Sequence, residues 1–500
     1  MKEPRTARPS LAMLRTAARW AALMAPAVLL LAAHLHAQSE SLWEREPYRI
    51  ALVVTSDGSP GLGADFAAQL KQGLLTQIET RIGAAWQIHH EETAGPREVD
   101  QKTFADLQRW CARGPGKLRA ADLSQPTWPW DKVLFVHVNR PQTSARSGFA
   151  APQANGEYRI EARDYDVRTQ MLGAVVSQDC GQRPMLDTAA FETMLAAFAP
   201  LAEVDSVQGQ DVTLRVKAAA IPLRDKQLAL VQAGDLFQPI IRFNYRDGSL
   251  RRLQSLDWTY LQVEQTDTDS VACQLYTGLR SPLSGRRRGL VEQLAVLVRP
   301  PQGETQLQLV SRTDADEPLP GYAVYVQQPG QVATTRVGVT NQQGVVTVPA
   351  GEGPLQILLI KNGDEILARL PIAAGLSPSL TAAVPDDRLR LYAESVITGL
   401  QEQVIDVLSR RRVLLTQAEN KLDAADREQA AKLVHELQLL KTAEAFHSEL
   451  NQFERKIFTN DPRMKQRIEK LFTDTRRVVN LHLDPKPVQE LANRLNSGNP

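Results

Sequence analysis

His89-His90-Glu91-Glu92 sets four metal-type donors side by side, and His137 lies in a second apolar run that would neighbour them in a sheet. Histidine nitrogens and carboxylate oxygens are the donors a zinc site uses, usually four of them around the ion. Successive strand residues point to opposite faces, however, so His89 and His90 reach one ion only across a bend. A solvated strand end is the competing account. Ser56-Asp57-Gly58-Ser59-Pro60-Gly61-Leu62-Gly63 follows an apolar run and precedes a helical pattern, where backbone N–H groups hold anions. Its glycine spacing matches neither GxxxxGK[ST] nor GxGxxG, so it marks no nucleotide site. No GxSxG or HExxH occurs, and no cofactor pattern is present. A hydrolase built on this half of the chain would use Asp57, His89, His90 and His137. It would need all four in one pocket at the C-terminal ends of the strands. Trp128 and Trp130, in a Pro-rich loop, could stack on a sugar or a partner, or pack over a core. Arg286, Arg287 and Arg288 form a loop triplet suited to an anionic polymer or lipid, and Arg410-Arg411-Arg412 a second one on a helix. Solvated charge is the plainer role for both triplets.

The elements that would position these residues begin with a small α/β domain at 46–205. Tyr48 to Thr55 and Lys132 to Val138 are continuous apolar strands. Ala64 to Ile82 carries Phe66, Leu70, Leu74, Ile78 and Ile82 on one helical face. Trp86 to His89 reads as a short strand and Thr103 to Cys111 as a helix. Glu157 to Val167 and Met171 to Ser177 read as an antiparallel pair, and Asp187 as the cap of a helix to Phe198. Residues 210–301 alternate through short strands, including Leu228 to Val231, with Asp247-Gly248 as a hairpin turn. That pattern suits an SH3-like β-barrel.

Residues 304–381 alternate with period two: Leu307/Leu309, Tyr322/Val324/Val326, Val337/Val339, Val346/Val348 and Leu355/Ile357/Leu359. Pro318-Leu319-Pro320-Gly321, Asn341-Gln342-Gln343-Gly344 and Asn362-Gly363-Asp364 supply the turns, the second expected as a hairpin. A sugar-binding face would need a row of exposed aromatics, and only Tyr322 and Tyr325 are offered. From Pro385 onward the pattern is helical. Leu389, Ala393, Val396, Leu400, Val404 and Leu408 keep three-four spacing, as do Leu433, Leu437 and Leu440, then Phe446, Leu450, Phe453 and Ile457. Asp461-Pro462 opens a further helix, and short connections predict antiparallel packing in a bundle over 386–500.

The fold class expected is thus multidomain α+β: a small α/β domain, an SH3-like barrel, a β-sandwich and a C-terminal helical bundle. "PLPGYAVYV" and "VGVTNQQGVVTVP" make 304–381 resemble the carboxypeptidase-regulatory-like (transthyretin-like) sandwich, with Asn341 where that family has an Asp. The resemblance implies a binding or spacer module without catalytic residues. The α/β domain with its Gly234-Asp235 barrel at 46–301 is similar to envelope factors of the flagellar-assembly-T type. No residue role is carried across from them.

Composition sets the compartment and the class. Lys and Arg total 58 against 57 Asp and Glu. That balance argues against a nucleic-acid binder. Lys2, Arg5, Arg8, Arg15 and Arg19 precede the apolar run Ala21–Leu35, which is short for a membrane span. With Leu35-His36-Ala37 as cleavage site, 1–37 reads as a secretory signal peptide; uncleaved, it would anchor the chain in a membrane. Three cysteines leave one unpaired at least, with Cys111 and Cys180 able to pair and Cys273 on an alternating strand. The expected protein is secreted or periplasmic and non-enzymatic. It would be a scaffold of the bacterial envelope that meets a protein partner through 386–500. The alternatives are the hydrolase and a polysaccharide binder.

Overall fold

The computed structural model describes residues 42–59, 61–90, 98–123, 128–141, 157–267, 270–283, 290–459 and 462–497. The leader at 1–37 and Arg286, Arg287 and Arg288 lie outside them. Four units follow one another along the chain.

The first opens with α1 (Leu42–Arg45), β1 (Tyr48–Ser56), α2 (Ala64–Gln77), β2 (Trp86–His89), α3 (Glu98–Cys111) and α4 (Ala120–Leu123). It continues with β3 (Lys132–Asn139), β4 (Tyr158–Asp166), β5 (Met171–Leu172), β6 (Val176–Cys180) and α5 (Leu186–Ala197). The sheet order is β2-β1-β3-β4-β5, with β6 also on β4. β1 runs parallel to both β2 and β3. Alternation along β1 divides the core. Ile50 and Leu52 pack with α2 and α5, whereas Ala51 and Val53 pack with α3, Trp130 and Tyr165. The apolar spacing on α2 is four residues, longer than the 3.6 of an α-helix, so the stripe would drift off the core. The helix accommodates this by widening into a π-turn at Ile78–Ile82, which keeps both isoleucines buried. Asp187 is not the cap of α5: the helix starts at Leu186, its N-cap is Met185, and no side chain caps it.

The second unit comprises β7 (Leu201–Gln208), β8 (Asp211–Val216), β9 (Leu236–Asn244), β10 (Leu250–Ser255), β11 (Thr259–Thr266), β12 (Val271–Thr277) and β13 (Val291–Val298). β13 pairs with both β7 and β9, which closes a six-stranded barrel and leaves β10 hydrogen-bonded outside it. The barrel therefore begins at Leu201, inside the stretch that the apolar pattern assigns to the α/β domain. Leu228–Val231, expected as a strand, forms none; Leu228 and Leu230 pack against the α/β core instead.

The third unit is a β-sandwich. β14 (Thr305–Ser311), β17 (Val345–Val348) and β20 (Ser379–Val384) form one sheet, and β15 (Ala323–Gln327), β16 (Thr334–Val339), β18 (Gln356–Asn362) and β19 (Glu365–Ile372) the other. Leu307, Leu309, Tyr322, Val324, Leu358 and Ile360 fill the space between them. Asn362-Gly363-Asp364 makes the β18–β19 hairpin as expected, with Gly363 at φ +61°. Asn341 to Gly344 does not make a hairpin. It carries the chain from β16 in one sheet to β17 in the other. Gly344 sits at φ +72°, and a Cβ there would stand 2.5 Å from the Leu309 carbonyl oxygen, so only glycine fits that crossing.

The fourth unit is all helix: α6 (Arg388–Asp423), α7 (Arg427–Leu439), α8 (Ala443–Lys456), α9 (Pro462–His482) and α10 (Lys486–Ser497). α6 is long enough to serve two separate cores. Ala393, Ile397, Leu400 and Val404 pack with α8 and α9, while Leu414 and Ala418 pack with α7 and α10.

Buried polar joints tie the units together. Tyr48 Oη accepts from the Leu201 amide at 2.9 Å, and Arg299 donates to the carbonyls of Phe198 and Leu230. Leu236, Tyr260 and Val298 of the barrel pack on Leu355 and Ala373 of the sandwich. Tyr322 Oη donates to Asp386 and accepts from the Asp387 amide, which fixes the sandwich to the start of α6.

Candidate functional site

The C-terminal ends of β1 and β3 bring together the residues with most chemical capacity. In this parallel pair Thr55 stands opposite His137, so both side chains share the face covered by α3. His137 Nδ1 lies 2.9 Å from Thr55 Oγ1, and that hydroxyl donates to Cys111 Sγ at 3.1 Å. The Thr55 hydroxyl thus lies between the His137 ring and the Cys111 thiol, within hydrogen-bond reach of both. His137 is 3 % exposed. Burial holds its pKa below the ordinary histidine value, against the pull of Glu161 and Asp57. Burial pushes the Cys111 thiol up to about 12, so it is no nucleophile.

Asp57 sits in the loop after β1. Partial burial raises its pKa, but bonds from the Ser59 hydroxyl and from the Ser59 and Arg140 amides outweigh this and set it below the ordinary carboxylate value. His89 is elsewhere. It pairs with Ala51, four residues before Thr55, so it stands about 13 Å back along the sheet. Asp57 and His137 therefore share one end of the sheet, while His89, with His90 after it, does not join them. The described residues contain no group of three or more His, Cys, Asp or Glu able to hold a metal ion.

Because His137 is buried neutral, it binds its proton more weakly folded than unfolded. Stability is full above the ordinary histidine value of 6.5 and falls as pH drops from there toward the lowered folded pKa. His137→Gln is expected to flatten that part of the profile. Urea unfolding of both forms between pH 5 and 8 checks it, the loss on acidification being smaller in the variant.

The remaining candidates separate cleanly. Trp130 is 5 % exposed and stacks edge-on against Phe104 at 5.0 Å; Trp128 packs on Trp130 and Tyr165. Their place is the α3 side of the core, so Trp130 is not open to a ligand. Tyr322 is buried and Tyr325 lies under the Lys361 ammonium, leaving no row of aromatics on the sandwich. Cys111 and Cys180 cannot pair, since they are buried in clusters on opposite faces of one sheet. Cys273 is buried in the barrel core, as its strand pattern implies.

In the bundle, α6, α7, α8 and α10 leave a groove of about 440 Å³ where the two helical cores part. Val407, Leu437, Leu483, Val488 and Ala492 supply an apolar floor, with Arg411, Lys441 and Glu444 along it. Leu439 and Leu481, beside these elements in sequence, are 72 % and 71 % exposed. The helical periodicity identifies the floor residues as apolar positions. It does not show that the two cores fail to merge, because that depends on where α10 lies.

No helix among the described residues is long and apolar enough to cross a membrane. No family model and no curated protein matches the chain. Among solved structures it is similar to the TIE protein of Bacillus anthracis at 10 % identity, covering 42 % of this chain and 46 % of that one, with a TM-score of 0.13. It thus spans about half the length of that protein. The pilus 2b backbone protein of group B streptococcus gives 8 % identity over 37 % of this chain and 97 % of that one, with a TM-score of 0.15. TolB of Acinetobacter baumannii gives 10 % identity over 69 % and 97 %, with a TM-score of 0.18. Scores of this size do not establish a common fold.

Proposed function

We propose that this chain is a non-enzymatic binding and scaffold protein of the bacterial cell envelope, delivered there by the leader at 1–37. Its C-terminal bundle makes the partner contact. The observation that carries the proposal is the groove with an apolar floor between the two helical cores. Its occupant is an amphipathic helix of a partner protein, which lays its apolar face on such a floor. The sandwich, as a carboxypeptidase-regulatory-like spacer, and the α/β–barrel pair, of flagellar-assembly-T type, form the support on which the bundle is presented. The buried joints between units make this a stiff presentation rather than a flexible string.

Gln489 lines the groove and is exposed, so Gln489→Trp fills it without disturbing either core. Recovery of the partner by the tagged full chain is expected to fall by about tenfold or more, the scale of losing a central contact. The melting temperature should stay that of the parent. Undiminished recovery would remove the groove from the account.

A further inference from the structure

A second face of the bundle lies on the flank of α6 away from the groove. Gln403, which meets Lys441 at 3.0 Å, marks the groove flank, and Gln401, two residues earlier, points to the other. There Gln401 donates to Thr475 Oγ1 at 3.4 Å, and further along Arg411 donates to the Asp484 carbonyl. α9 therefore runs parallel to α6, with Val478 level with Ile405 and Leu481 level with Leu408. Leu408 and Leu471 are half-buried over the bundle core, and Ile405, Val478 and Leu481 stand exposed above them, Ile405 by 61 %. Leu391, Thr398, Ile405 and Arg412 continue the line along α6 at seven-residue spacing, the period at which helices pack side by side.

Two features choose what covers this face. The apolar cluster sits at Ile405, the midpoint of α6, whose 36 residues span about 54 Å. Antiparallel copies centred there overlap along the whole helix. A strip of that length and about 15 Å wide covers about 800 Å² per copy, the size of a stable interface. The charges suit the same symmetry. Arg412 stands about 9 Å above the centre, and Asp474 about as far below it, with Glu402 between Asp474 and the centre. All three are exposed, and none forms an ion pair among the described residues. A two-fold axis at the centre brings Arg412 of each copy to the height of Asp474 of the other, whereas a parallel pair would set like charges together.

We propose that this face joins two copies of the chain in an antiparallel dimer. Ile405, Leu408, Val478 and Leu481 of both copies form its apolar centre, and Arg412 meets Asp474 and Glu402 at each end. The contact is isologous, so it closes at two copies. It leaves the groove open on both copies and stands whether or not that groove binds a helix.

The test uses the chain from Gln38 onward, which keeps every described residue. Sedimentation equilibrium at micromolar concentration should give twice the chain mass. Ile405→Glu with Leu481→Glu should weaken association about tenfold or more, with unchanged helical circular dichroism. Arg412→Glu should weaken it likewise, and Arg412→Glu with Glu402→Arg and Asp474→Arg should restore it. A spin label on Thr416→Cys, the native cysteines being buried, should report a separation of about 30 Å, against about 10 Å for a parallel pair. A monomer at every concentration would overturn the proposal and leave the face to another protein. So would a dimer untouched by the two glutamates, no recovery on charge reversal, or the short separation.

Discussion

Lys132→Met is expected to destabilise the α/β unit by about 3–5 kcal/mol, the scale for removing one partner of a buried ion pair. Lys132 Nζ lies 2.8 Å from Asp164 and 3.1 Å from Asp166, and none of the three side chains is more than 2 % exposed. Burial alone would lower the ammonium pKa; the two carboxylates outweigh it and set it above the ordinary lysine value. The carboxylates are not equally dependent on the lysine. Asp166 also accepts from the Thr169 amide and hydroxyl, at 2.8 and 2.7 Å. Asp164 keeps only the Ala199 amide at 2.9 Å, and burial already raises its pKa. Losing the lysine raises the Asp164 pKa further in the folded state. The folded form then binds the proton more tightly, so the variant regains stability as pH falls through that raised pKa. Lys132→Met with Asp164→Asn should recover much of the loss at neutral pH. Urea unfolding of the parent, single and double variants at pH 5 and pH 7.5 measures each quantity. A loss under about 1 kcal/mol, the range of an exposed pair, would show that water reaches the triad.

Arg390→Met is the second large effect, at the joint of sandwich and bundle. Arg390 Nε donates to both oxygens of Asp387, at 2.9 and 2.8 Å, its Nη2 donates to the Asn362 carbonyl at 2.9 Å, and its Nη1 pairs with Glu394. The Asp387 side chain is fully buried, and burial raises its pKa despite the arginine. Without Arg390 that carboxylate has lost its bonded countercharge and keeps only the more distant Arg467, again a cost of about 3–5 kcal/mol. The Asn362 carbonyl lies at the β18–β19 hairpin, so the same substitution removes one of the ties between α6 and the sandwich and weakens the joint. Calorimetry should show the bundle melting as a separate, earlier transition. Arg390→Met with Asp387→Asn should restore part of the stability but not the bond to Asn362. One unchanged transition in Arg390→Met would mean that the Tyr322 bonds and the Arg388–Glu317 and Arg467–Glu365 pairs hold the joint without it.

The Lys132 cluster had a signal in the sequence. Lys132 is the one cation in an apolar strand, and Asp164 and Asp166 alternate on the strand beside it. Charge at such positions is held inward by partners or points out at an edge, and pairing decides which. The alternating stretches and the Asn362-Gly363-Asp364 turn were legible because strand period and turn chemistry are local. The barrel was legible as a class, but which strands close it was not. β7 and β10 are strands by virtue of their partners, and Leu228–Val231, equally apolar, finds a core instead of a neighbour. Asn341 to Gly344 shows the same limit: its turn is as expected, but the strands it joins pair in different sheets. Asp57 and His137 could be placed together from strand ends alone. The Thr55–Cys111 contact could not, because it depends on how α3 packs across β1. Trp130 was open to either of two roles until Phe104 was placed beside it in the core.

The most direct test of the partner contact is photocrosslinking in cells producing the full chain, with a benzoylphenylalanine at Gln489 in the groove or at Val332 on the sandwich. Both positions are exposed, and Val332 is 92 % so. The account predicts a discrete adduct to one envelope protein from position 489, none from position 332, and loss of the adduct when Asn493→Trp, at an exposed position that also lines the groove, is added. No adduct at 489, or the same adducts from both positions, would contradict the claim that the bundle groove makes the contact.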